Sequence, residues 1–304
     1  MRISTAAASQ SALMDLMRAQ RESFEAREQL SSGKKAPDLK GYANAAESIL
    51  TARATQTRAQ GFIDANERLA SRLQVQDLAY RDLSDAASDL RQALTTTDGT
   101  GLMTELEAVF DRVVNALSTK FAGSYIFSGV RTDAVPVNAD SVADLQAAAP
   151  DTSAIFENAE RRQTTKIDSE TTIDVNQTAQ EVAGDLMAAI ERIANFNGGP
   201  NGPFDGLMDE TQRTYVQGEI ANVIDAFETI NAAMAENGSK QARVEASIRG
   251  HQARSDYLAE MIAGLEDADM AEAATRLTQA QTAVEVSART FSSLSQVSLL
   301  PFLR

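Results

Sequence analysis

Between residues 62 and 94, a mostly apolar stripe runs through Phe62, Asn66, Leu69, Leu73, Gln76, Tyr80, Leu83, Ala87, Leu90 and Leu94, in unbroken alternating steps of four and three. That average spacing of about 3.5 residues draws one stripe along an α-helix, with no counterpart in a strand. No Gly or Pro interrupts it between Phe62 and Leu94, so the spacing predicts one continuous helix over residues 45–95. At about 1.5 Å per residue such a helix runs roughly 75 Å. A helix that long must pair along its length, and the chain is therefore expected to build a helical rod.

Other segments carry the same alternation with less force. A second rod helix is expected over residues 102–121, through Leu106, Phe110, Val113, Leu117 and Phe121. Helical spacing returns at Val182, Leu186, Ile190 and Ile193, stops in the Gly- and Pro-rich loop 197–206, and resumes over residues 210–237. A further long helix carries Val244, Ile248, His251, Ser255, Leu258, Ile262 and Leu265. The register then slips, and a new seam runs Met270, Ala273, Leu277, Ala280, Val284, Ser287, Phe291 and Leu294. Asp269 followed by Glu272 places a capping-box-like start at the slip.

The N-terminal seam is thin. Ile3, Ala6, Gln10, Leu13, Met17, Gln20 and Phe24 share one stripe, but only Ile3, Leu13, Met17 and Phe24 are large and apolar. Burying those side chains is worth roughly 6–12 kcal/mol. Ordering the backbone of such a helix costs on the order of 25–50 kcal/mol, offset only in part by helical hydrogen bonds. This helix needs partners. It ends at Ser31-Ser-Gly-Lys-Lys-Ala-Pro37, where Gly33 and Pro37 break the pattern and act as a hinge, mirrored by Asp269 and Glu272 at the other end of the chain.

Residues 125–178 change period: segments such as Thr172-Ile-Asp-Val175 alternate as strands do. The fold class is accordingly mainly α, a long coiled-coil helical rod built from the N- and C-terminal halves, with an inserted small β-rich domain. The expected divisions are an N-terminal assembly helix (1–44), rod helices of the N-terminal half (45–128), the β-rich outer domain (129–177), rod helices of the C-terminal half (178–267) and a C-terminal assembly helix (268–304). The insert is expected at the far end of the rod, acidic and dispensable for assembly.

Composition narrows the function. Apolar residues are 43% but aromatics only 5%, with no Trp, which suits narrow helix seams better than a deep globular interior. Cysteine is absent, so neither disulfides nor thiolate-bound metal can staple the fold. A net charge of −15 is at odds with general nucleic-acid binding, which needs a basic face. The charge is uneven: residues 1–35 carry six basic and four acidic side chains, and residues 270–304 three and two, leaving −18 between them. No run of about 18 apolar residues marks a membrane span, and the first ten residues lack the apolar core of a secretory signal peptide.

Candidate chemistry is sparse. The single histidine, His251, falls on a seam and reads as a packed helix residue. Gly33-Lys34-Lys35 lacks the upstream glycine of a phosphate loop, and Glu266-Asp-Ala-Asp269 lacks the remaining oxygens and glycine of a calcium loop. With one His and no Cys, no nucleophile, base and orienting group can be assembled; carboxylates alone stay open as acid–base groups, and the expectation is of no enzyme, cofactor or metal site.

Particular strings then carry a resemblance. Leu30-Ser-Ser-Gly-Lys-Lys35 resembles the N-terminal junction of the flagellin superfamily, and Leu265-Glu-Asp-Ala-Asp-Met-Ala-Glu272 resembles its turn before the last helix. The start Met1-Arg-Ile-Ser-Thr5, the string Phe121-Ala-Gly-Ser-Tyr-Ile-Phe-Ser-Gly129 and the end Ser298-Leu-Leu-Pro-Phe-Leu-Arg304 are closer to the hook-associated branch than to filament flagellins. The stretch Ala36-Pro-Asp-Leu-Lys-Gly-Tyr42 departs from the family's Asp-rich pattern.

The resemblance implies a structural axial component of the bacterial flagellum, joining hook to filament, with filament flagellin as the alternative. It implies export through the flagellar channel without a cleaved signal peptide and an extracellular location. The implied partners are further copies in a ring around the flagellar axis, a neighbouring hook-associated protein, flagellin and an export chaperone, with neither nucleic acid nor membrane. A chemoreceptor-like coiled coil would share the heptads but not the insert, and a secreted translocator would carry an apolar segment. The assembly interface is expected at Ile3, Leu13, Met17, Phe24, Leu277, Val284, Phe291 and Leu294.

Overall fold

The structure, a computed structural model, describes residues 2–159 and 161–299, with side chains from residue 7 to residue 294. It is mainly α-helical: α1 (Arg2–Ser32), a 3-10 turn (Leu39–Ala45), α2 (Ala46–Leu94), α3 (Leu102–Leu117), β1 (Lys120–Phe121), β2 (Ser124–Tyr125), α4 (Val142–Ala147), β3 (Thr164–Lys166), β4 (Thr172–Asp174), α5 (Ala179–Gly198), α6 (Glu210–Glu266) and α7 (Met270–Leu299). The chain divides into two compact units, a terminal one of residues 1–59 and 253–304 and a central one of residues 60–252. Those divisions fall inside the long helices α2 and α6, where the sequence pattern had placed them at the hinges.

The central unit packs α2, α3, α5 and α6 around one core. Leu83, Leu90, Leu106, Val113, Leu117, Leu186, Ile190, Ile193, Val223 and Ile230 are all fully buried in it. The unbroken four-three stripe of α2 is the reason: every large residue in it from Leu69 to Leu94 faces that core or its extension. The α5 start is fixed by a complete capping box, Thr178 accepting from the Glu181 amide and Glu181 reaching back to the Thr178 amide.

Where two helices were expected over 210–265, α6 is one helix of 57 residues that runs straight through Asn237-Gly238. A helical glycine costs about 1 kcal/mol, and local contacts outweigh it. The buried Asn237 amide donates to the Leu73 carbonyl at 3.0 Å, and Lys240 pairs with Glu236 at 2.8 Å.

The insert also departs from expectation. Its regular β-structure is a single hairpin, β3–β4, in antiparallel register with Thr165 opposite Ile173. Far from standing off at one end, that hairpin lies against the middle of α2 and α6. Ile167, Ile173 and Val175 are buried with Leu69, Leu73 and Val244. The Ile167 carbonyl accepts from Asn66 at 2.9 Å and Ser247 at 2.9 Å and lies 3.2 Å from His251 Nε2. His251 is buried there and stacks on Phe62 at 4.9 Å between ring centroids. Arg162 adds a second tether, reaching Glu181 at 3.1 Å and Glu236 at 3.6 Å.

The string 121–129 turns out to be a packing device. Ala122 (φ 50°) and Gly123 (φ 83°) make the two-residue turn between β1 and β2. Ile126 and Phe127 then drop into the core, where Tyr80 meets Phe127 edge-on at 5.4 Å. Gly129 has φ 65°, and a Cβ on it would sit 2.6 Å from the Arg161 carbonyl.

Candidate functional site

The sequence points to the chain termini, and in the terminal unit α1 and α7 pack against each other along their length. The end of α1 bridges to the start of α7 through Lys34 and Asp267, so the two helices run antiparallel. The buried positions on α1 are Ala12, Ala19, Ser23 and Ala26, with Leu16 and Leu30 half-buried between and beyond them. On α7 they are Ala273 and Ala280, with Leu277, Val284, Ser287, Phe291 and Leu294 half-buried.

The seam of α1 therefore sits one residue before the stripe expected from sequence. Leu13, Met17 and Phe24 are exposed by 42%, 58% and 67%. The reason is steric. The α7 face already brings Leu277, Val284, Phe291 and Leu294, and two helices approach closely only if one side of the seam is small. Ala12, Ala19, Ser23 and Ala26 supply that side, which turns the larger residues of α1 outward. Of the expected interface residues, the α7 set is brought together with α1, the exposed α1 set is not, and the side chain of Ile3 lies outside the described residues, as does the tail 300–304.

The hinges are built in detail. Gly33, in the left-handed region at φ 71°, donates its amide to the Gln29 carbonyl at 2.9 Å and ends α1. Pro37 lies exposed in the link that follows. Asp38 accepts from the Lys40 and Gly41 amides to start the 3-10 turn. A Cβ on Gly41 would lie 2.2 Å from that of Ala36, so the turn closes only with glycine there. Asp269 accepts from the Ala271 amide at 2.9 Å and the Glu272 amide at 3.1 Å, capping α7. Glu272 does not complete a capping box; it pairs with Arg276 at 2.8 Å.

Sequence reasoning missed what ties the hinges together. The Lys35 amide donates to the Glu266 carbonyl at 2.7 Å, and the Ala268 amide to the Gly33 carbonyl at 2.9 Å. The Lys35 ammonium donates to the Gly264 and Leu265 carbonyls at 2.9 and 3.0 Å, satisfying the last turn of α6. The Glu266 carboxylate, 3% exposed, lies between Arg53 at 2.5 Å and Lys34 at 3.3 Å. Lys34 also meets Asp267 at 2.7 Å, and that hydrogen bond holds its ammonium above the ordinary lysine value. The signal was present as two opposite-charge strings, Lys34-Lys35 and Glu266-Asp267, but nothing local says that they meet. Among the described residues, no group of three or more His, Asp or Glu is placed to hold a metal ion, and no helix is long and apolar enough to cross a membrane.

Residues 220–303 match the family model described as the bacterial flagellin C-terminal helical region. No curated protein sequence matches the chain. Its fold is similar to that of a protein from Vibrio parahaemolyticus described as a flagellar hook-associated protein, with a TM-score of 0.59 and 15% identity over 73% of this chain and 97% of that one. It is also similar to Bacillus cereus FlgL, with a TM-score of 0.53 and 14% identity over 71% of this chain and 99% of that one. At such identities the likeness is one of fold.

Proposed function

We propose that this chain is a structural, non-enzymatic axial component of the bacterial flagellum, assembled through its terminal helix pair. Within the flagellum we assign it to the junction of hook and filament, as a ring of identical copies between a neighbouring hook-associated protein and flagellin. The observation that carries the reading is the character of α1. Its buried stripe is small, and its large apolar residues Leu13, Met17 and Phe24 face outward, as a helix does that completes its burial against other chains. The flagellin match over residues 220–303 and the shared fold with flagellar proteins supply the context. Export through the flagellar channel with a dedicated chaperone belongs to the same reading, since a thin terminal unit is cheap to unfold. A second reading, filament flagellin, is favoured by one observation: the family model that matches is that of flagellin itself.

Electron microscopy of a strain lacking the gene separates the two. Hooks without filaments support the junction role, and shortened or missing filaments on capped junctions support flagellin. Complementation with Phe24→Asp tests the carrying observation. Phe24 is exposed, so melting of the purified chain should stay within about 0.5 kcal/mol of the parent, while assembled flagella should be lost. Normal flagella in that strain would remove α1 from the assembly surface.

A further inference from the structure

The α1/α7 pair has two unlike flanks. Leu13, Met17 and Phe24 each follow a seam residue by one position, and so lie about 100° round the helix on one side of the seam. Glu22 and Glu25 each precede one, Ser23 and Ala26, and lie about as far round on the other side. On that second side α1 and α7 leave an open groove of about 470 Å³, floored by Ala26, Ala280 and Ala283 and rimmed by Glu22, Glu25, Gln279 and Arg276, whose guanidinium pairs with Glu272 at 2.8 Å. A water's share of liquid volume is about 30 Å³, so the groove has room for the ends of several side chains.

Charge matches shape. Arg21 and Arg27 flank the row of large apolar residues, whereas Glu22 and Glu25 are the unpaired charges on the groove rim, Arg276 there being paired with Glu272. All four side chains are exposed, and none makes an ion pair among the described residues. They form two opposite-charge pairs.

We propose that the occupant of the groove is a second copy of this chain: the Leu13–Met17–Phe24 row of one copy seats on the alanine floor of the next, with Arg21 and Arg27 meeting Glu22 and Glu25. This rests on the assembly reading above and names the surface that meets the row. The contact is heterologous, because the two patches differ, and it repeats from copy to copy instead of closing as a pair. Ridge-into-groove packing of α1 then continues the close approach that alanine already allows within the chain.

The absence of cysteine makes trapping direct. Gln20→Cys lies on the apolar flank and Gln279→Cys on the groove rim, both at exposed positions. Mixing the two full-length single variants under mild oxidation should give chiefly the disulfide between the thiol introduced at position 20 of one chain and that introduced at position 279 of the other. Arg21→Glu with Arg27→Glu, or Glu22→Lys with Glu25→Lys, should each cut its yield about tenfold. All four changes in one chain should restore it, with melting unchanged throughout. Adducts chiefly between two Gln20→Cys chains, or no adduct at millimolar protein, would overturn the contact, as would charge reversals that change nothing. The experiment needs no flagella, so it fails separately from the flagellar reading. Chain-to-chain adducts alongside normal flagella in the charge-reversed strains keep the contact and sink the flagellar role. A flagellar defect without adducts sinks the contact.

Discussion

Around Leu106 the central unit packs Leu, Ile, Val and Phe to full burial, whereas between α1 and α7 the buried positions are Ala12, Ala19, Ser23, Ala26, Ala273 and Ala280. Elsewhere in the terminal unit, Ile49 and Ile262 are the large apolar side chains buried among the described residues. Burying a Leu or Phe side chain gains about 1.5–3 kcal/mol, and a methyl group about 0.8 kcal/mol or less. The central unit is therefore self-sufficient. The terminal unit is shaped for close approach instead of large apolar gain, and leaves its larger α1 residues Leu13, Met17 and Phe24 exposed.

Cavity formation should break the symmetry of response most sharply. Leu106→Ala removes a fully buried side chain from the central core and should cost about 2–5 kcal/mol. Ala19→Gly, in the α1/α7 seam, should cost about 1 kcal/mol, mostly through helix propensity. Hydrogen exchange resolved by peptide would show the first confined to residues 60–252 and the second to the terminal unit. Equal losses in both would mean that the terminal helices draw their stability from the central core, and the comparison would fail.

The insert sharpens the contrast further. Because Ile173 is 4% exposed and sits with Leu69, Leu73 and Val244, Ile173→Ala should cost about 2–4 kcal/mol of central-unit stability. Excising residues 132–172 should cost more, since it removes Ile167 from that cluster together with the β3 strand that pairs with Ile173, and leaves Asn66 and Ser247 without the Ile167 carbonyl. A chain that melts unchanged after the excision would return the insert to a separate domain that adds nothing to the rod's stability.

That difference marks what the sequence could convey. The α2 helix was legible because ten successive seam positions admit a single stripe. In α1 two stripes overlap, Leu13–Met17–Phe24 and Ala12–Leu16–Ala19–Ser23–Ala26, and spacing alone favours the one with larger residues. What decides between them is the bulk of α7 across the seam, more than 250 residues away in the chain. The seat of the hairpin includes one carbonyl, that of Ile167, meeting Asn66, Ser247 and His251 from two distant helices. No local pattern encodes such a meeting. The hinge residues Gly33 and Asp269 were legible because their chemistry is local, a positive φ and a helix cap.

A small effect is also expected at the hinge, and its size follows from exposure. Removing one member of a fully buried ion pair costs about 3–5 kcal/mol, because the other charge is left in a dry site. Here the carboxylate of Glu266 is 3% exposed, but its partners Arg53 and Lys34 are 53% and 41% exposed and stay hydrated when it is neutralised. Glu266→Gln should therefore cost only about 1 kcal/mol. The loss should appear as faster hydrogen exchange at the Lys35 and Ala268 amides, which make the backbone bonds between the hinges, with residues 60–252 unchanged. Lys34 fixes the sign of the pH response. Its pKa is raised in the folded chain by Asp267, so its share is present through neutral pH and is lost as pH rises through that raised value, above the ordinary 10.5. Alkaline melts should show this loss in the parent chain and not in Lys34→Met. If Glu266→Gln instead costs as much as Leu106→Ala, the hinge is a buried core element of its own, and the terminal unit is not the thinly held region that the α1/α7 seam describes.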